Sequence, residues 1–428
     1  MSLFIGIDIG TSACRACAID SRGRRVAQAR TELPAPEHKA GGVQQRPCIW
    51  QDALTATLDR LCTQIDPQAI RRLSVDGTSS TLLLATPDGT PLTPGLMYND
   101  ARATAAAKLI EHHAPNDSAA RGAASSLAKC LHLAADRGRE PWLALHQADW
   151  LSGSLTGHYG YSDENNALKL GYDLKQNRWP DWLEALPLLP GHLPAVVPPG
   201  TVIGTLLPAL AERWGCCPGV EIVAGTTDST AGFIAADATH VGTAVSALGS
   251  TLVLKVLSNC PVYCARYGVY SHRLGGRWLV GGASNAGGAV LRKLFGSCDI
   301  KRYSRLMRPA VPTGLDYYPL PSKGERFPLQ DPGLAPRLTP RPASDAVFFQ
   351  AILESLASIE QRGYRLLAKL GAPYPAQVLS VGGGAANLAW QQIRQNLLGV
   401  PVNRAPHQEA AYGAALLALR GQAVFPDP

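Results

Sequence analysis

The stretch Leu3-Phe4-Ile5-Gly6-Ile7-Asp8-Ile9-Gly10-Thr11-Ser12-Ala13-Cys14-Arg15 sets a carboxylate inside an apolar run and follows it with a glycine-hydroxyl turn. Apolar residues resume over Ala16 to Ile19, so the segment reads as strand, turn, strand. A carboxylate inside a strand is costly to bury unless something pairs with it. A metal-bound polyphosphate would do so. The glycine lets backbone N–H groups approach phosphate oxygens, and Thr11 and Ser12 add hydroxyl donors. Two commoner nucleotide loops are excluded, because both run from strand into helix. The chain has no Gly-Lys dipeptide, and no G-x-G-x-x-G fingerprint follows this strand.

A chain of 428 residues is too long for one core and implies two domains or more. Its 46% hydrophobic content suits a globular enzyme, and no apolar run reaches membrane-spanning length. The N-terminal residues carry no charged n-region, apolar h-region or cleavage site. Ten cysteines are scattered without a framework. Both features imply a reducing, cytoplasmic location. Cys14-x-x-Cys17 and Cys216-Cys217 lack a matching second cluster and read as buried thiols rather than a metal or redox site. The net charge of +7 is spread along the chain without aromatic interleaving. That argues against nucleic acid and for a mildly positive site taking a phosphate-bearing small ligand. Monomer and homodimer both stay open.

Working outward, Trp50 to Ile65 has helical periodicity and Ile70 to Val75 is a short strand. The turn Asp76-Gly77-Thr78-Ser79 leads into a strand over Thr81 to Ala85. Residues 101 to 156 read as mostly helical, and 173 to 218 as short helices and loops. Glu221 to Ala224 is a strand ending in Gly225-Thr226-Thr227-Asp228, with a helix after it. A composition break near Asp237 to Gly242 gives two expected domains, 1–238 and 239–428. The second opens with Ala244 to Leu248, Gly249-Ser250-Thr251 and Leu252 to Val256, again strand, glycine-hydroxyl turn, strand. This echo hints at two related halves. A Pro-rich loop region spans 309 to 342. A helix covers Phe348 to Leu370, a strand Val378 to Val381, and helices Asn387 to Leu398 and Glu409 to Leu419.

Asp228, at a strand end before a helix, has two readings that can both hold. It is a helix N-cap, or a general base kept ionised by the positive helix start. Asp8 is either a structural acid bonded to its turn or a contact to Mg²⁺, which needs only one or two carboxylates. Gly382-Gly383-Gly384 is a bare turn or an open backbone for a phosphate or flat ring. Asp100 beside Arg102 reads as a surface pair. With Asp76 and Ser79, the two residues could instead bind the hydroxyls of a polar substrate. No histidine is assigned to catalysis.

The order of these motifs resembles the FGGY carbohydrate kinases, over essentially the whole chain. Asp8-Ile9-Gly10-Thr11-Ser12 with Arg15 is similar to the family's first phosphate motif, and Val43-Gln44-Gln45-Arg46-Pro47 with Trp50 to its V-E-Q-x-P segment. Tyr98-Asn99-Asp100-Ala101-Arg102 resembles W-x-D-x-R, with Tyr98 for Trp. Ser126-Leu127-Ala128-Lys129 and Ser162-Asp163 with Asn166-Ala167 match two further segments. Gly225-Thr226-Thr227-Asp228 resembles the segment of the catalytic base, and Leu248-Gly249-Ser250-Thr251 the second phosphate loop. Gly324-Glu325-Arg326-Phe327-Pro328 is similar to G-E-R-x-P. Gly382 to Asn387 with Trp390 resembles the adenosine motif. The G-Q-M-H-G segment of many xylulose kinases is absent, and Val75-Asp76-Gly77-Thr78-Ser79 stands in its place. With Ser162-Asp163 and Ala167 to Tyr172, this resembles a compact subfamily linked to D-ribulose phosphorylation.

The resemblance implies an α/β, actin-like ATPase fold (ribonuclease H-like) with two domains around a central cleft. The sugar lies mainly on the first domain and the nucleotide mainly on the second, and the last helix, about 409–420, packs back on the first. It implies ATP and Mg²⁺ as cofactors and a ketopentose substrate, D-ribulose first, D-xylulose or another sugar or polyol as the alternative. Asp228 would be the catalytic base, and Ser79, Asp228, Asp76, Asp100 and Arg102 would bind sugar. Asp8 would hold the metal. Thr11, Ser12, Gly249, Ser250 and Thr251 would bind phosphates, and Gly383, Gly384, Asn387 and Trp390 would shape the adenine pocket. Two rival classes are weighed: a non-catalytic actin-like ATP- and sugar-binding protein, against which Asp228 argues, and an actin- or chaperone-type ATPase, against which the segments at 76–79 and 98–102 argue.

Overall fold

The computed structural model describes residues 2–39, 41–137, 140–188 and 190–425. The chain divides into two compact units: Met1–Ala235 with His272–Gly276 and Glu409–Pro428, and Ala236–Ser271 with Arg277–Gln408.

In the first unit, β1 (Leu3–Ile9), β2 (Ala13–Asp20) and β3 (Arg25–Glu32) form an antiparallel meander. Helix α1 (Pro47–Cys62) starts on a proline whose missing N–H costs nothing at that position. It buries Trp50, Ala53, Leu54, Thr57, Leu58 and Leu61, the apolar stripe that the periodicity predicts. Strand β4 (Ile70–Gly77) runs parallel to β1. Beyond it come α2 (Thr104–His113), α3 (Ser126–Ala134) and α4 (Gln147–Thr156). The expectation of an all-helical stretch here needs correcting, because Leu143–His146 is a strand pairing with Leu82–Ala85 in a smaller sheet. Its Leu-Ala-Leu-His sequence is too short to show a period of its own. Strands β5 (Val202–Thr205) and β6 (Glu221–Val223) complete the main sheet in the order β5-β6-β4-β1-β2-β3, and α5 (Asp228–Ala235) follows.

In the second unit, β7 (Thr243–Leu248), β8 (Leu252–Ser258) and β9 (Arg277–Ser284) are antiparallel neighbours. Helix α6 (Gly288–Leu294) leads to the Pro-rich segment, and α7 (Asp345–Lys369) is the central helix of the core, burying Phe348, Phe349, Ile352, Leu356 and Ile359. Strand β10 (Gln377–Val381) is parallel to β7, α8 (Leu388–Leu398) follows, and β11 (Val402–Arg404) is parallel to β10. The order β9-β8-β7-β10-β11 repeats β3-β2-β1-β4-β6 of the first unit, direction for direction. The sequence echo at Gly249 therefore belongs to a repeated topology.

The chain returns to the first unit as α9 (Ala410–Arg420), in which every residue from Ala411 to Ala418 is buried. Ile5, Ile7 and Ile9 fill one face of β1, while Gly6 and Asp8 alternate onto the other. A Cβ on Gly6 would lie 2.0 Å from the Ala415 nitrogen, and one on Gly413 would lie 1.8 Å from the Ala231 oxygen of α5. Helix, strand and α5 thus meet backbone to backbone, which the alanine-rich sequence of α9 permits. Adding one methyl at Gly413 should cost at least ~1–3 kcal/mol, the range for overpacking a core. Urea unfolding of Gly413→Ala should give a lower midpoint at unchanged m-value. A wild-type midpoint would mean that α9 does not pack this closely.

Candidate active site

Parallel pairing fixes the first element of the site. Asp8 is the register partner of Asp76, Ile9 that of Gly77, and Gly77 in turn bridges Thr227. A Cβ on Gly225 would fall 1.8 Å from the Val75 oxygen, so the loop Gly225 to Asp228 lies directly on the end of β4. Asp8, Asp76 and Asp228 therefore collect where β1, β4 and β6 stop. Asp228 is the first residue of α5 and accepts the Ser229 N–H at 2.6 Å. It sits inside the helix start rather than before it, so the plain N-cap reading is corrected.

Asp8 and Asp76 are both buried, Asp76 completely. Burial pushes the Asp8 carboxyl up, against the opposing pull of Asp76 and Arg15, whose Nη1 lies 3.3 Å from Asp8 Oδ2. Burial also drives Asp76 well above the carboxylate range, and the charges of Asp8, Asp228 and Asp163 push the same way. As register partners on adjacent parallel strands, the two acids act on each other, and the Asp8 charge is one of the causes that raise Asp76. Neither Asp76 oxygen has a hydrogen-bond donor. A divalent cation would supply the positive charge that the two oxygen sets lack. The donors are hard oxygens, which suit Mg²⁺. Among the described residues there is no grouping of three or more His, Cys, Asp or Glu that could cage a metal. The fit is therefore to an ion that keeps waters and substrate oxygens as its other ligands.

The loop after Asp76 is held from two sides. Ser80 adopts φ +65°, a left-handed conformation unfavourable for serine, so surrounding contacts must impose it. Gln147, at the start of α4, accepts the Thr78 N–H at 3.1 Å and the Thr78 hydroxyl at 3.0 Å. Lys129 of α3 donates to the carbonyls of Ser80 at 2.8 Å, Met97 at 2.7 Å and Tyr98 at 3.4 Å. Burial pushes its ammonium down to about 7, although Asp100 acts to raise it. The two helices are joined by a buried chain in which His146 bonds Ser126 Oγ through Nε2 and Asp149 Oδ2 through Nδ1, both at 2.9 Å. Ser126 is 0% exposed, so this Ser-His-Asp set is a scaffold and not a nucleophile relay. Against this rigid backing, the oxygens of Ser79, Ser80 and Ser162 and the Gln147 Nε2 are buried without partners. Each such group costs about 1–3 kcal/mol until a ligand satisfies it. A polyhydroxylated ligand supplies donors and acceptors of the right kind.

Asp100 and Arg102 are not a surface pair. Asp100 is 0% exposed and the Arg102 side chain 14%. Asp100 accepts from the backbone N–H groups of Val43 and Arg102 and from Arg102 Nε, and Arg102 Nη2 lies 2.8 Å away. With its oxygens so engaged, Asp100 orients Arg102 instead of offering itself to a hydroxyl. A Cβ on Gly42 would overlap this pair at 2.0 Å.

In the second unit, Gly249-Ser250-Thr251 turns between β7 and β8. Gly288 N–H donates to the Gly249 oxygen at 2.8 Å and Ala289 N–H to the Ser250 oxygen at 3.1 Å. A Cβ on Gly287 would come within 2.6 Å of Ser250 O. Gly382, at φ +84°, crosses over Leu248, and Gly383 faces open space. Asn387 caps α8 through the Trp390 N–H at 3.0 Å and donates to Ser304 at 3.1 Å. Trp390 is buried, donates to Leu353 O at 2.9 Å, and would meet a Cβ on Gly384 at 2.6 Å. Asn387 and Trp390 thus shape the glycine turn from behind; neither presents a free ring or amide. Where β1 carries Asp8 two residues before its glycine, β7 carries Ala247, whose register partner is Val381. The second unit carries no acid at either of these two positions.

Models of the FGGY family of carbohydrate kinases match residues 3–126 and 136–235 (N-terminal domain) and 244–421 (C-terminal domain). The chain is 25% identical over 435 residues to a xylulose kinase of Escherichia coli (strain K12), covering 97% of this chain and 89% of that one. It is 25% identical over 454 residues to a xylulose kinase of Bacillus subtilis (strain 168), with 99% and 89% covered. A "xyloylose kinase" crystal structure from Brucella ovis shares the fold at TM-score 0.90 and 23% identity, covering 100% of this chain and 93% of that one. The chain belongs to the FGGY family of carbohydrate kinases and is a sugar phosphotransferase on the actin-like ATPase fold.

Proposed function

We propose that the protein transfers the γ-phosphoryl group of ATP to the terminal hydroxyl of a ketopentose, forming the 5-phosphate. The observation that carries this reading is the set of three carboxyl groups, Asp8, Asp76 and Asp228, beside the unsatisfied hydroxyls of Ser79 and Ser80. Phosphoryl transfer asks a protein mainly for positioning and charge neutralisation. The Asp228 carboxylate takes the proton of the attacking hydroxyl. The resulting oxygen bonds to the γ-phosphorus, the bond to the β-bridging oxygen breaks, and ADP carries away that electron pair. Ser79, Ser80, Asp76 and Arg102, the last oriented by Asp100, bind sugar hydroxyls. Asp8, backed by Asp76, is the residue that would hold Mg²⁺, which when bound neutralises phosphate charge. Thr11 and Ser12 of the first unit, and Gly249, Ser250 and Thr251 of the second, donate to phosphate oxygens. Gly383 leaves room for the adenosine, while Gly384 closes against Trp390, and Asn387 backs the turn.

Both named relatives are xylulose kinases, which supports D-xylulose as the substrate over D-ribulose. One observation favours the D-ribulose reading. Val75-Asp76-Gly77-Thr78-Ser79 stands where many xylulose kinases carry G-Q-M-H-G, and it offers a buried acid, Asp76, and an unsatisfied serine, Ser79, with the unsatisfied Ser80 next to it. Epimers differ in one hydroxyl, and a site built to bond that hydroxyl can discriminate strongly.

ADP release measured over a panel of free sugars and polyols, with a no-sugar control, should be stimulated most by a ketopentose. Faster turnover on D-ribulose than on D-xylulose would reverse the ranking, and no stimulation by any sugar would support a non-catalytic binding protein. Asp228→Asn should lower kcat by roughly 10²–10⁴-fold, the range for loss of an acid–base group, with ATP affinity nearly unchanged. Wild-type turnover would remove Asp228 as the base. Asp8→Ala should shift the Mg²⁺ dependence of nucleotide binding, followed by calorimetry, to higher concentration. An unaltered titration would take Asp8 out of the metal site.

A further inference from the structure

One cation in the second unit is not used by this mechanism. Arg292 lies on α6 and is exposed. Its Nη2 donates to Ser250 Oγ at 2.6 Å, and its Nη1 lies 3.7 Å from where a Cβ on Gly288 would stand. The guanidinium therefore rests along the glycine-hydroxyl turn, at the spot where Gly288 and Ala289 N–H groups clamp that turn to α6. No carboxylate pairs with Arg292 among the described residues. The neighbouring Lys293 is directed elsewhere, to the Pro321 carbonyl at 3.0 Å.

We propose that Arg292 is a phosphate-binding residue of the second glycine loop, contacting the β- or γ-phosphoryl oxygens of the bound nucleotide. The inference rests on the reading of Gly249 to Thr251 as a phosphate loop. A guanidinium presents five N–H donors in a planar fork that matches two phosphate oxygens at once. One donor holds Ser250, which leaves the others for the ligand. Because the Ser250 oxygen accepts from Arg292, its own O–H proton is left to point outward and donate to the same phosphate. The absence of a carboxylate partner fits this role, since an anion at the loop would be the missing counter-charge. A surface arginine with no such task has no reason to be anchored on a hydroxyl of a turn whose backbone α6 already clamps.

The test uses the full chain and three nucleotides, ATP, ADP and AMP, titrated by calorimetry into the wild type, Arg292→Gln and Arg292→Lys. Wild-type binding of ATP and ADP comes first; if it is absent, the nucleotide reading of the loop falls, and this inference with it. Given that binding, Arg292→Gln should weaken ATP and ADP about 10- to 100-fold, the factor for losing a hydrogen bond to a charged partner. AMP affinity should stay within about twofold, since AMP lacks the distal phosphates. Arg292→Lys should recover part of the ATP affinity, because it restores charge without the fork. Equal losses for all three nucleotides would mean that Arg292 only supports the loop. No loss for any would make it an ordinary surface side chain. Either result overturns the proposal while leaving the wild-type activity, and so the kinase reading, intact.

Discussion

Two carboxyl groups held level on adjacent parallel strands, one fully buried without any donor and the other mostly buried, set the terms for the first unit. Like charges in a low-dielectric setting repel strongly, so holding both carboxyls here is costly, and Asp76 is pushed well above the carboxylate range by burial first and by the Asp8 charge next. That cost is met by the surrounding fold. The register of β1 with β4 cannot slip by one residue without turning Ile5, Ile7 and Ile9 out of the core. Glycine at positions 6, 225 and 413 lets strand, loop and helix close to backbone contact around the pair. The sheet is well packed up to the unsatisfied Asp76, and the backbone is strained just beyond it, at Ser80.

The second unit shows what the same topology does without that demand. At the positions of Asp8 and Asp76 it has Ala247 and Val381. Its Arg394–Glu360 ion pair is buried and closely bonded: Arg394 Nε and Nη2 reach Glu360 at 2.6 and 2.7 Å, and Nη1 reaches Ser380 at 2.7 Å. A buried ion pair satisfied in this way fixes geometry more than it adds stability. It ties β10 to α7 and α8 directly behind the glycine turns, so those turns rest on a rigid floor. One unit leaves a buried acid without a donor; the other bonds its buried arginine to an acid and a serine.

Much of this could be read from the chain. The alternation of Ile5, Ile7 and Ile9 with Gly6 and Asp8 has the period of a strand, and Gly10-Thr11-Ser12 ends it with a turn that few other structures require. Trp50 to Leu61 shows a helical stripe, and Ala410 to Arg420 is too alanine-rich to be anything but a close-packed helix. What stayed hidden depends on contacts between distant residues. Asp100 and Arg102 look like a surface pair because adjacent opposite charges usually are. Only the fold shows Val43, 57 positions away, bonding to the acid. Lys129 and Gln147 act on a loop 49 and 69 positions away, and nothing near them in sequence marks that task. Trp390 was legible as part of a motif, but whether an indole faces a ligand or the core is decided by its partner carbonyl on α7.

The return of α9 to the first sheet bears on how the molecule comes into being. On the ribosome β1 emerges about four hundred residues before the helix that covers its Gly6 face. Until then that face of the sheet has no lid, and contacts of such long sequence separation form slowly. All of residues 277–408 of the second unit are translated before α9, so that unit can assemble while the first still waits. The chain therefore finishes the unit that bears the acids last, and a nascent chain arrested before α9 would expose the β1 face to chaperones and proteases.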